Sequence, residues 1–173
     1  MVLRSFSLIA ISTLILAGCN SQVAQPNPTN IEPGLYSGER TCHYVTYDAA
    51  NDETLEADDT SEDFVEISDN GRWVLNSTEV RVGQEAIFHV GGLDGRATIT
   101  SITTTDTSIV VTFDIVYTLS DGTTSIDLEG EGTFTIAAEG ADSIRETGEI
   151  SVSHTNGSGT STFIQDCEGI LTR

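Results

Sequence analysis

Strict alternation of apolar and polar residues is the feature that most constrains the fold of this chain. Apolar residues or glycine occupy every even position from Ile126 to Ile136, and acids or threonine occupy every odd one. Just upstream, apolar residues occupy every odd position from Ile109 to Leu119. Because successive side chains of a strand point to opposite faces, each segment is predicted to form a β-strand with one apolar face. Asp121-Gly122 between the two segments predicts a tight hairpin.

The same alternation of apolar and polar residues continues over most of the chain, with turn residues between the alternating segments. Strands are predicted near residues 34–47, 63–68, 72–77, 79–90 with a break at Gly83, 96–105, 107–119, 123–137, 143–154 and 160–171. No segment of the sequence carries an apolar stripe of 3.6-residue period over three turns, so the predicted fold class is all-β. The stretch from Asp48 to Asp63 holds eight acids and no long apolar run, and it is predicted to be a loop.

Long consecutive strands joined by short turns favour an antiparallel up-and-down meander of eight to ten strands. Such a sheet loses its edges when its first and last strands pair, so we predict a closed or nearly closed barrel. The arrangement is similar to that of lipocalin-like barrels, and Gly34-Leu35-Tyr36 resembles their first-strand motif, with Tyr36 in place of the usual Trp. The alternative is a β-sandwich, which would use shorter strands and hold its cysteines in internal strands.

The N-terminus has the composition of an export signal. Met1 to Arg4 carries positive charge and no acid, and the twelve residues from Phe6 to Ala17 carry no charge at all. As a helix such a segment is about 18 Å long, which is too short to cross a hydrocarbon core of roughly 30 Å. A short apolar segment behind a basic start is typical of a secretory signal peptide.

The signal closes with Leu16-Ala17-Gly18-Cys19, which resembles the lipobox of bacterial lipoproteins. The resemblance implies cleavage before Cys19 and a diacylglyceryl group on its sulfur, and two or three acyl chains anchor a protein stably. It also implies delivery to the outer membrane rather than retention at the inner one, because Asn20 and not aspartate follows the cysteine. The alternative is an ordinary secretory signal in which the cysteine is incidental.

These segments divide the chain into three parts. Residues 1–18 are the predicted signal peptide, residues 19–32 are the lipidated cysteine with a flexible tether, and residues 33–173 are a single all-β domain. The tether contains Pro26, Pro28 and several amide side chains but almost no bulky apolar residue. Fully extended, it reaches at most roughly 45 Å.

Two cysteines remain for the domain, Cys42 in the first predicted strand and Cys167 in the last. In an oxidising compartment such an even pair usually forms a disulfide, and here it would fasten the closure of the barrel. Two free thiols in a redox or metal site are the alternative, although the sequence has no CxxC spacing.

The charge of the chain excludes one class of partner. The chain contains twenty-seven acidic residues, seven arginines and no lysine, so its formal net charge is −20. Such a field repels nucleic acid and anionic lipid headgroups, and no nucleic-acid partner is expected. The charge fits either solubility in a salty compartment or the binding of a divalent cation or a cationic partner.

The alternation also predicts which side chains share the interior face of the barrel. This face carries aromatic residues, glycines and a few polar groups, among them Tyr36, Arg40, Cys42 and Tyr44 of the first predicted strand, Glu146 and His154 of the predicted strand 143–154, and Phe163, Gln165 and Cys167 of the last. One interpretation is a pocket for a small ligand. The other is a filled barrel in which glycines relieve crowding and Arg40 pairs with Glu146.

Patterns typical of metal and catalytic sites are missing from the sequence. His43, His89 and His154 are far apart and lack the short spacings of zinc sites. The acidic stretch departs from the EF-hand pattern, because Ala50 replaces a ligand and Glu53 stands where glycine is needed. The sequence contains no Gly-x-Ser-x-Gly elbow. We therefore expect no metal, no cofactor and no catalytic residue.

Together these features predict a lipid-anchored cell-envelope lipoprotein that is not an enzyme and that binds or carries a small, partly apolar ligand. The alternative is a structural or interaction lipoprotein that contacts another envelope protein.

Overall fold

A computed structural model describes residues 30–69, 72–76, 78–90, 93–120, 125–157 and 159–173, and only the main chain of residues 88–90, 93, 94, 119, 120 and 125. The predicted signal peptide, Cys19, most of the tether and the tip of the Asp121-Gly122 hairpin lie outside the described residues. The described residues form ten strands: β1 (Gly34–Asp48), β2 (Glu53–Ile67), β3 (Trp73–Leu75), β4 (Thr78–Glu79), β5 (Glu85–Val90), β6 (Leu93–Thr104), β7 (Ser108–Ser120), β8 (Ser125–Ala138), β9 (Ser143–Asn156) and β10 (Gly159–Thr172).

All ten strands belong to one antiparallel sheet with the order β4-β3-β2-β1-β10-β9-β8-β7-β6-β5. Apart from β1 with β10, each strand pairs with its neighbour in sequence, so the sheet is an up-and-down meander that curls into a nearly closed barrel. The predicted all-β barrel is confirmed. A β-sandwich needs two packed sheets, and this single sheet excludes it.

The first and last strands pair as predicted, and the two cysteines lie directly opposite each other in their register. Cys42 and Cys167 form the predicted disulfide, with their Cα atoms 4.0 Å apart. The side-chain amide of Gln165 donates a hydrogen bond to the Cys167 Sγ at 2.9 Å. The covalent link therefore fixes the register of the two strands that close the meander.

Two apolar clusters fill the interior at different heights. We call the end at which β1 begins and β10 ends the lower end, and the end at which β1 turns into β2 the upper end. The larger cluster lies at the lower end and includes Tyr36, Trp73 and Leu171. It also includes Ile31, which is only 4 % exposed, so the chain packs into the barrel just before β1. A smaller cluster around Ile115, Tyr117, Leu128 and Val152 lies nearer the upper end.

The acidic stretch predicted to be a loop is a strand, and that prediction was wrong. β2 pairs with β1 over its whole length, from Asp48 opposite Glu53 to Gly34 opposite Ile67. Residues 53–58 are exposed on both faces, so they need no alternation of apolar residues, and hydrogen bonds to β1 hold them in place. Charged side chains on an unpaired edge also discourage pairing with another chain.

The barrel is closed at the lower end and open at the upper end. Residues 80–84 cross the gap between β4 and β5 at the lower end, where the Gly83 amide donates to the Ile99 carbonyl at 2.8 Å. Gly83 has a φ of +79°, a conformation that favours glycine, as the predicted break requires. At the upper end, β3 and β4 are absent, and no described residue pairs with the outer edge of β2 between Glu53 and Asp63.

We predict that replacing both cysteines, Cys42→Ala with Cys167→Ala, lowers the free energy of unfolding by about 4 kcal/mol, because the disulfide closes a loop with a sequence separation of 125. Urea denaturation of the oxidised protein and the double variant measures the difference. A loss below about 1 kcal/mol would contradict a stabilising role for the link.

Candidate functional site

Three charged side chains lie inside the barrel between the two apolar clusters. The Nη1 atom of Arg40 is 2.6 Å from the Oδ2 atom of Asp63 and 3.0 Å from the Oε1 atom of Glu146. Both carboxylate side chains are fully shielded from solvent, whereas the arginine side chain is 14 % exposed. We call Arg40, Asp63 and Glu146 the ion cluster.

Glycines on the neighbouring strands make room for the ion cluster. Arg40 on β1 lies opposite Gly169 on β10, which in turn lies opposite Glu146 on β9. Because position 169 has no side chain, Arg40 reaches across β10 to Glu146. A Cβ atom at Gly169 would lie 3.2 Å from the Cα of Arg40, so even alanine would crowd this crossing. Asp63 enters from the other side, opposite Gly38.

The sequence predicted only part of the ion cluster. It placed Arg40 and Glu146 on the interior face and offered their pairing as one interpretation, which the structure confirms. It missed Asp63, because that residue stood where the predicted loop ended and the predicted strand 63–68 began, and its side chain was not assigned to a face. The missed signal is the alternation of Asp63, Val65 and Ile67, all three of which are buried.

Two buried carboxyl groups share one guanidinium, so the ion cluster would be negative if both were ionised. Burial, followed by the neighbouring charge of Asp63, raises the pKa of Glu146 to about 8. Glu146 Oε2 is buried without a hydrogen-bond partner among the described residues. We infer that the Glu146 carboxyl group keeps its proton at neutral pH, since a neutral Glu146 leaves Arg40 to balance Asp63 alone.

The two carboxyl groups of the ion cluster are fully shielded from solvent, so no substrate atom can reach them. We therefore assign the ion cluster a role in the stability of the fold. Its position between the two apolar clusters makes it a polar layer beneath the open upper end.

The side chains on the inner face of the sheet become more exposed to solvent from the lower to the upper end. At the lower end Tyr36 is 1 % exposed and Leu171 is fully buried. At the upper end Tyr44 and Phe163 on the same face are only half-buried, and Leu55, opposite Thr46, is 49 % exposed. We call this half-exposed inner surface the upper cleft; it is lined by Tyr44, Leu55, Asp59, Phe163 and Gln165.

Three aromatic rings form the floor of the upper cleft. The ring centroids of Tyr44 and Phe163 are 5.9 Å apart, and the rings of Phe163 and Tyr117 make an edge-to-face contact with centroids 5.4 Å apart. Burial raises the pKa of Tyr117 far above its usual value, so its phenol stays neutral. Burial, followed by the charge of Asp59, raises the pKa of Tyr44, and the charge of Arg40 opposes this rise.

Below this floor the barrel is filled. A Cβ atom at Gly132 would lie 2.4 Å from the Phe113 ring, and one at Gly130 would lie 1.9 Å from the Ser151 carbonyl oxygen. These two glycines therefore relieve crowding, as one of the two sequence interpretations expected. The other interpretation, a ligand surface, applies only above them, where the inner face is half-exposed.

The structure does not bring the described histidines together. His43 lies on the outer face of β1 and bonds Asp58 through Nδ1 at 2.7 Å. His154 lies on the inner face of β9, with its Nδ1 3.1 Å from the Asp127 carbonyl oxygen. The side chain of His89 lies outside the described residues. In the part of the chain that the structure describes, no three His, Cys, Asp or Glu side chains are grouped to hold a metal ion.

Comparison of the chain with protein-family models, curated proteins and solved structures gives no match. The described residues include no helix that is long and apolar enough to span a membrane. The function must therefore be inferred from the geometry of the barrel itself.

We predict that Glu146→Gln removes a pH dependence of stability. Glu146 binds its proton more tightly when folded, since its pKa rises from 4.5 to about 8. Its stabilising contribution is therefore complete below the unfolded pKa and is lost as the pH rises toward 8. The free energy of unfolding of the wild type should fall over this range by up to about 1.4 kcal/mol per pH unit more than that of the variant.

Urea denaturation between pH 4.5 and pH 9 measures this difference. The control is Glu149→Gln, which removes the same charge from an exposed position on the same strand and should keep the wild-type slope. Parallel pH profiles for wild type and Glu146→Gln would contradict a proton held by Glu146 in the ion cluster.

Proposed function

We propose that the chain is a lipid-anchored envelope lipoprotein whose upper cleft binds a small, partly apolar ligand. The observation that carries the proposal is the change along one face of one sheet, from fully buried Leu171 at the lower end to half-exposed Leu55 at the upper end. Small-ligand sites are concave, mostly apolar and equipped with a few polar groups. The upper cleft combines aromatic rings, Leu55 and the amide of Gln165 in this way.

The position of the tether supports an orientation for this lipoprotein. The Asn30 amide donates to the Asp106 carbonyl at 3.2 Å, in the turn between β6 and β7 at the lower end. Asn30 is the eleventh residue after Cys19, a distance of at most roughly 40 Å when extended. A lipid on Cys19 would thus hold the closed lower end toward the membrane, and the upper cleft would point away from it.

The proposed attachment predicts a defined N-terminus. Protein extracted from membranes of the producing cell should begin at Cys19 and carry the mass of two or three acyl chains, because the lipobox directs both modifications. Intact-mass spectrometry makes the measurement, and Cys19→Ala should release the protein from the membrane fraction. An unmodified cysteine at the N-terminus of membrane-extracted protein would contradict the anchor.

Outer-membrane delivery, proposed from Asn20, is tested by separating the two membranes.

The upper cleft predicts binding of a neutral apolar probe, N-phenyl-1-naphthylamine, with an increase in its fluorescence. Tyr44→Ala should weaken this binding about fivefold, since it removes half of the exposed aromatic floor. Tyr47→Ala is the matched control, because Tyr47 lies on the outer face of the same strand and should leave the affinity unchanged. Equal losses in both variants, or no binding by a folded wild type, would contradict a ligand site in the cleft.

Native mass spectrometry of protein purified from its own membranes tests for natural cargo. We expect a bound mass that Tyr44→Ala reduces. A spectrum that shows only the mass of the protein itself, together with a co-purifying envelope protein, would contradict the proposed ligand binding and support an interaction lipoprotein.

A further inference from the structure

We propose that the upper cleft selects an organic cation, an amine or quaternary ammonium group joined to an apolar tail. This inference rests on the proposed function and names the chemical class of its ligand. It follows from the charges that share the inner face of the upper end with the aromatic floor.

The titratable groups on this inner face are acids and one histidine. Asp48 and Glu53 lie opposite each other at the top of the first hairpin, and Asp59 lies lower on β2, opposite Cys42. His154 faces the same interior from β9, opposite Ser161 of β10. Arg40 lies below them and already contacts Asp63 and Glu146.

The remaining arginines of the domain leave no guanidinium for an anion in the cleft. Four of them pair with acids elsewhere, namely Arg72 with Glu79, Arg96 with Glu85, Arg145 with Glu139 and Glu168, and Arg173 with Asp142. Arg81 donates to the side chain of Gln84 at the lower end. An anionic ligand would therefore meet the acids of the inner face, an Arg40 that two buried carboxyl groups already contact, and a chain with a net charge of −20.

Asp59 and Tyr44 form the cation-binding part of the cleft. Both side chains are half-buried on the same face of adjacent strands, and Asp59 lies opposite Cys42, two residues along β1 from Tyr44. A cation over the face of Tyr44 gains from the ring quadrupole, and a carboxylate in a partly shielded site attracts it more strongly than one on the open surface. Phe163 and the exposed Leu55 would cover the apolar tail.

Three probes with the same ten-carbon tail test the charge preference: decyltrimethylammonium, decanol and decanoate, each below its micelle-forming concentration. Isothermal titration calorimetry in about 0.15 M salt, where the Debye length is about 8 Å, suppresses long-range attraction. We expect decyltrimethylammonium to bind about tenfold tighter than decanol, and decanoate to bind more weakly than both. Equal affinities for the three probes, or a preference for decanoate, would overturn the inference.

Asp59→Asn tests the residue assigned to the cation. It should weaken decyltrimethylammonium binding about tenfold and leave decanol binding unchanged. The matched control, Asp166→Asn, makes the same change on the exposed outer face of β10 opposite His43 and should alter binding less than twofold. Equal losses in the two variants would assign the effect to the overall field of the protein and would overturn a site at Asp59.

The outcomes separate this inference from the proposed function. Binding of decanol together with no preference for the cation leaves a ligand site in place and rejects the organic cation. Failure of all three probes to bind a folded protein rejects both.

Discussion

The pairing of the first strand with the last is the interaction on which the rest of this structure depends. β1 lies between β2 and β10, and the disulfide between Cys42 and Cys167 fixes the register of the closure. A slip of one residue would turn every interior side chain of β1 to the outer face. In the observed register Arg40 lies opposite Gly169, and Tyr44 comes close to Phe163. The ion cluster and the aromatic floor are therefore both consequences of the same pairing.

The lower end of the barrel stabilises the fold, and the half-exposed upper end is the site of the proposed ligand binding. At the lower end, residues 80–84 bridge the gap and the larger apolar cluster excludes water. At the upper end the sheet stays open, and apolar side chains remain half-exposed. The ion cluster lies between them, and burying charge is unfavourable unless the charges are paired. A proton on Glu146 reduces that penalty, which links the stability of the middle layer to pH.

Alternation in the sequence was sufficient to predict the barrel and its closing pair, because those features bury one face of each strand. The disulfide was predicted separately, from the pair of cysteines that remains for a domain in an oxidising compartment. Alternation was not sufficient for residues 53–58 of β2, since a strand exposed on both faces shows no alternation. That same misassignment hid Asp63, although Arg40 and Glu146 were placed correctly on the interior face. The open upper end was not predictable either, because it results from the shortness of β3 and β4, which were each expected to be longer.

Amide hydrogen exchange, resolved residue by residue by NMR, tests most directly whether the barrel is sealed below and open above. We expect slow exchange for the paired amides of β1, β9 and β10, and alternating slow and fast exchange along residues 53–62 of β2. Amides that bond to β1 should be protected there, and those on the outer edge should exchange rapidly. Uniform protection along residues 53–62 would show that this edge is covered, and it would contradict an open upper cleft.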